Sequence, residues 1–109
     1  MNVTWEDFAR LDIRIATVTS VERVAGAERL LRFTFDVGAG EQRQVVAAMA
    51  PFFDDPDALR GRQMPVLLNV DPRVIRGCES QGMIIAADRD GRPVLLQPET
   101  QVPSGSKVR

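Results

Sequence analysis

The chain has 109 residues, 14 Lys plus Arg against 15 Asp plus Glu, one cysteine, no tyrosine and no histidine. One domain spanning 1–109 is the natural reading, burying roughly 65% of its unfolded surface without disulfides or structural metal, and the missing histidine removes the usual general base and commonest metal ligand. Composition therefore argues against an enzyme, a cofactor or a metal site, and no run approaches the roughly 18 apolar residues of a membrane helix; a reduced, cytoplasmic protein without membrane contact is expected.

Thr4 followed by Trp5-Glu6-Asp7-Phe8 has the hydroxyl cap and early acids of a short N-terminal helix, with Trp5 as its apolar staple. From Asp12 the period changes, and Ile13, Ile15 and Thr17 alternate in a β-branched run to Val21 that reads as a long first strand. After a break at Val24–Glu28, Leu31, Phe33, Phe35 and Val37 alternate with Arg32, Thr34 and Asp36, one face for the core and one for solvent. Gly38-Ala39-Gly40 reads as a hairpin turn into an antiparallel third strand, Gln44 to Ala48. Asp54–Gly61 has the acidic start, Pro56 and closing Gly61 of a short helix. Met64 to Val70 is a buried strand in which Pro65 must lie at an edge or near the start. Asp71-Pro72 to Gly77 is a turn-rich connection, Met83 to Ala87 another strand, and Asp88–Gly91 a turn into Val94-Leu95-Leu96. The tail, with Pro98, Pro103 and Gly105, is ordered only if something docks it.

These elements predict an all-β, five-stranded Greek-key barrel with one short helix between strands 3 and 4, the layout of an OB-fold, whose surface binds oligonucleotides. The most informative stretch runs from Asn69 to Met83. It gathers Asn69, Arg73, Arg76, Ser80 and Gln81 in one irregular connection, side chains suited to phosphate, sugar and base edges; a turn-forming surface loop explains the same composition. Arg29, Arg32 and Arg43 form a second basic group, with Arg32 and Arg43 placed on the outer sheet surface by strand geometry. No aromatic ring alternates with them, which disfavours stacked single strands and favours recognition of shape and phosphates. Phe52 and Phe53 read as packing residues, Cys78 as a half-buried thiol, and Asp54, Asp55 and Asp57 as helix-start charges, since they lack a calcium loop's spacing.

The residues Asp7–Arg14, Ala27-Glu28-Arg29-Leu30, Asp36-Val37-Gly38, Asn69–Met83 and the Leu95–Lys107 tail resemble the tRNA-binding OB-domain family. The family includes stand-alone tRNA-binding proteins, C-terminal domains of bacterial methionyl-tRNA synthetases and the secretion chaperone CsaA. The resemblance implies a non-catalytic homodimer, joined through C-terminal strands, that binds the folded shape of tRNA. It implies contacts from Arg29, Asn69, Arg73, Arg76, Ser80, Gln81 and Met83. The start and tail also resemble CsaA, which gives an alternative, a chaperone for unfolded or exported polypeptides; a third reading is an interaction module that recruits a synthetase or other protein. Asp71 and Val74 stand where family members often carry lysine, so two phosphate contacts are missing, a change expected to weaken binding. Between Ala58 and Gly77, however, Arg60, Arg62, Arg73 and Arg76 face only Asp71, a local basic cluster inside a chain of net charge −1.

Overall fold

The computed structural model describes residues 1–109. Helix α1 (Trp5–Ala9) opens on the expected capping box: the Asp7 N–H donates to the Thr4 hydroxyl at 3.0 Å, and the Thr4 N–H donates to the Asp7 carboxylate at 3.3 Å. The staple does not form. Trp5 is 86% exposed and α1 buries none of its residues, because so short a helix presents no face that reaches the barrel.

Strands β1 (Ile13–Val24), β2 (Ala27–Gly38) and β3 (Glu41–Ala47) form an antiparallel meander, and β4 (Gln63–Leu67) pairs with the other edge of β1. The alternation predicted for β2 holds: Leu31, Phe33, Phe35 and Val37 are buried while Arg32, Thr34 and Asp36 face outward, half-buried. These side chains, with Ala16, Val18, Val45, Met64 and Val66, form the core of a strongly curled, OB-like all-β sheet. Burial of Phe33 and of Phe35 contributes about 1.5–3 kcal/mol each.

Where a single helix was expected between β3 and β4, the chain makes two 3-10 turns, Ala50–Phe52 and Pro56–Leu59. Pro56 opens the second turn and Gly61, at φ +86°, closes the segment only five residues later, which leaves room for a single turn and no α-helical ladder. Leu59 nonetheless plugs the core from this side. Phe53 packs against the core, and the Arg92 guanidinium lies 5.6 Å from the Phe52 ring centre.

Pro65 accepts from the Ile85 N–H at 3.0 Å where the short ladder between β4 and β7 (Met83–Ile84) ends, so its missing donor interrupts no pairing. The expected Met83–Ala87 strand breaks at Ile85 into β7 and β8 (Ala86–Arg89), which turns at Asp90–Gly91 into β9 (Arg92–Leu95). The stretch after Asp71 is more regular than expected. Strands β5 (Arg73–Ile75) and β6 (Cys78–Ser80) form a hairpin around Arg76–Gly77, both at positive φ, +50° and +80°.

The tail is docked. Strand β10 (Ser106–Lys107) pairs with β1 opposite Arg14 and Ile15, and the buried Gln63 amide donates to the Val102 carbonyl at 2.7 Å. Gly38 and Gly105 cross so closely that a Cβ on Gly105 would lie 2.5 Å from the Val37 carbonyl oxygen. No helix is long and apolar enough to cross a membrane.

Candidate nucleic-acid interface

No ladder joins β3 to β7, and side chains from the 68–82 segment and from β3 bridge the gap. The Gln81 N–H donates to the Gln44 carbonyl at 2.7 Å, and the Gln44 N–H donates to Gln81 Oε1 at 3.1 Å. Gln44 Nε2 reaches the Glu79 carbonyl at 2.9 Å. Ser80, 6% exposed, accepts from the Val46 N–H and donates to the Gly82 carbonyl, each at 3.0 Å. Asn69 works at the opposite end of β1. Its Oδ1 accepts from the Asp12 N–H at 2.8 Å and its Nδ2 donates to the Arg10 carbonyl at 2.6 Å.

Arg43 belongs to the same scaffold, donating to the Leu68 carbonyl at 3.1 Å and pairing with Glu41 at 3.0 Å. Arg32 is paired with Glu22 at 3.1 Å and lies 3.8 Å from the Cys78 sulfur. The hydrogen bond to Glu22 and its charge hold the Arg32 guanidinium above its ordinary pKa, as the hydrogen bond to Asp12 does for Arg14. Both cations are therefore engaged inside the chain.

The remaining predicted residues are placed differently. None of the chain's ion pairs involves Arg29, Arg73 or Arg76, and all three are exposed. They rim a trough between β2, the end of β3 and the β5–β6 hairpin. One hollow of about 340 Å³ is lined by Arg73 and Met83, with Leu30, Val46 and Ile75. A second, of about 500 Å³, is lined by Arg29 and Arg76 and shares Leu30, Ala48 and Ile75 with the first. Met83 is 50% exposed at the trough wall. Asp71 lines the first hollow and Glu28 the second, and Val74, at one of the missing lysine positions, is 72% exposed on the hairpin.

Two features of this site had weak sequence signals. The hairpin was missed because Arg76-Gly77 is not the Asn-Gly or Asp-Gly pair that announces its turn, although Gly77 supplies half of the requirement. Ala48, shared by the two hollows, lies just past the end of β3, where the strand periodicity stops. The four-arginine cluster divides: Arg60, paired with Asp57 at 3.8 Å, and Arg62 precede β4, whereas Arg73 and Arg76 follow it on the trough. No group of three or more acidic or cysteine side chains is arranged to hold a metal.

The family described as "Putative tRNA binding domain" matches residues 13–107. A methionine–tRNA ligase of Methanothrix thermoacetophila is 43% identical over 107 residues, 98% of this chain, and one of Cytophaga hutchinsonii is 44% identical over 108 residues. The chain spans only 16% and 15% of those two relatives. Among solved structures, a MetRS related protein from Pyrococcus horikoshii superposes with a TM-score of 0.91 at 26% identity, covering 100% of this chain and 99% of that one. The chaperone CsaA from Bacillus anthracis superposes at 0.88 with 30% identity, both chains covered in full. With a family match across nearly all of its length and the OB-like barrel beneath it, the chain belongs to the tRNA-binding domain family.

Proposed function

We propose that this domain binds tRNA, or structured RNA of the same kind, without catalysis and as a homodimer. The observation that carries this reading is the placement of Arg29, Arg73 and Arg76, three arginines with no acidic partner, around one trough. Guanidinium forks match phosphate oxygens, and a rim of them fixes a folded RNA by its backbone. Asn69, Ser80, Gln81 and Arg43 act as positioning residues: Ser80 and Gln81 stitch the end of the hairpin to β3, while Arg43 and Asn69 tie the chain after β4 to β3 and to Arg10 and Asp12, so the arginines stand on a rigid support. Arg32, held by Glu22, contributes little to the contact.

The dimer reading rests on apolar surface away from the trough. Trp5, Phe8, Leu11 and Val108 line a hollow of about 500 Å³ beside the docked tail, and Val94 and Leu96 are exposed on the C-terminal segment. Such residues suit burial against a second copy through that segment. Titration of total tRNA by gel shift at low and high salt tests the main reading. Binding at low salt that weakens as salt rises is expected; no binding at low salt contradicts it.

A second reading is favoured by the likeness to the chaperone CsaA and by the apolar lining of the trough: capture of unfolded polypeptide. It predicts suppression of aggregation of a denatured client, insensitive to nuclease and competed poorly by tRNA.

A further inference from the structure

The floor of the trough has no group suited to a phosphate. Leu30, Val46, Ile75, Met83 and Ile84 supply apolar surface, and the buried Ser80 hydroxyl is committed to the Val46 N–H and the Gly82 carbonyl. A binder of duplex backbone alone needs a charged surface, not a hollow. At about 340 Å³ this one reaches the lower end of ligand-sized sites, about 300–1,000 Å³. The cations line the two adjoining hollows, Arg73 the first and Arg29 with Arg76 the second, within reach of phosphates on either side of a single inserted group.

Resting on the reading of RNA as the ligand, we propose that the trough seats an unpaired nucleobase from an RNA loop against Ile75 and Met83. Its flanking phosphates are held by Arg73 and by Arg29 and Arg76. The base enters by desolvation and dispersion against aliphatic carbon and a polarisable thioether, since no aromatic ring lines the trough. The apolar residues of the floor read no base edge; the Asp71 carboxylate and the Arg73 guanidinium are the polar groups of this hollow that a base edge could meet. The ligand is thus a class, an unstacked nucleotide in a structured RNA. The rim favours it over an apolar peptide, which has no charge to meet three arginines; Asp71 and Glu28 offset them only in part.

The test uses the full chain and two RNAs of equal length, a hairpin carrying 2-aminopurine in its loop and a blunt duplex, followed by anisotropy and by 2-aminopurine emission. The hairpin is expected to bind more tightly than the duplex. Met83→Ala, at a half-exposed position, should weaken the hairpin about two- to tenfold and abolish the emission change while leaving the duplex unaffected. Arg73→Ala should weaken both RNAs. Equal binding of hairpin and duplex, both indifferent to Met83→Ala, overturns the base site and leaves RNA binding standing. If neither RNA binds but an apolar peptide does, and Met83→Ala weakens it, both the base site and the RNA reading fall in favour of polypeptide.

Discussion

The engaged and the exposed side chains of the β5–β6 hairpin lie within a few residues of one another and are used in opposite ways. Ser80, Gln81 and Arg43 are bonded to β3 or to backbone carbonyls of the chain. Arg73, opposite Ser80 in the same ladder, and Arg76, at the turn, are instead exposed and make no ion pair. One set has its hydrogen-bonding capacity consumed by folding, and the other has it unspent within the chain. The difference teaches that a motif rich in polar residues divides into support and contact by burial, not by residue type.

If that division holds, the two sets respond differently to substitution. The largest effect on stability belongs to Ser80→Ala, which leaves the Val46 N–H and the Gly82 carbonyl buried without their partner; a loss of about 1–3 kcal/mol is expected in urea unfolding. Unchanged stability with abolished RNA binding would instead make Ser80 a contact residue. Asn69→Ala should have a smaller effect, about 1 kcal/mol, because the Asp12 N–H and Arg10 carbonyl that it bridges lie in exposed surroundings open to water.

Arg76 sharpens the contrast from the other side. It sits at φ +50°, a conformation that disfavours side chains other than Asn, Asp and Gly. Arg76→Asn creates the preferred pair for this turn, so stability should rise by about 0.5–1 kcal/mol while RNA affinity falls. A parallel loss of both would show that Arg76 serves the fold.

The smallest effect is on pH. Arg14 and Arg32, held above their ordinary range by hydrogen bonds to Asp12 and Glu22, contribute stability present below the unfolded pKa and lost only on passing above it. With no histidine in the chain, RNA affinity measured between about pH 6 and 8 should be flat. A steep change there would point to a group outside the arginine rim.

Much of the barrel was legible in the sequence because a half-buried strand writes its two faces as alternation, and Leu31 to Val37 does so without a break. The capping box at Thr4 and the Asp90–Gly91 turn were legible for similar local reasons. What was not legible depended on distant partners. Nothing near Asn69, Ser80 or Gln81 signals that β3 or the chain ahead of β1 will take up their hydrogen bonds. Trp5 failed in the opposite direction: its apolarity suggested burial within the domain, and the short α1 offers no surface to receive it.

The most direct test of the central claim is the salt dependence of tRNA binding by the chain and by its Arg73→Ala, Arg76→Ala double variant. Each phosphate contact contributes about 0.7–0.9 to the slope of log K against log salt. The double variant should therefore bind more weakly at low salt, with a slope shallower by about 1.5 and urea unfolding unchanged. An identical slope and affinity would contradict the assignment of the hairpin's exposed arginines as the RNA-contacting surface.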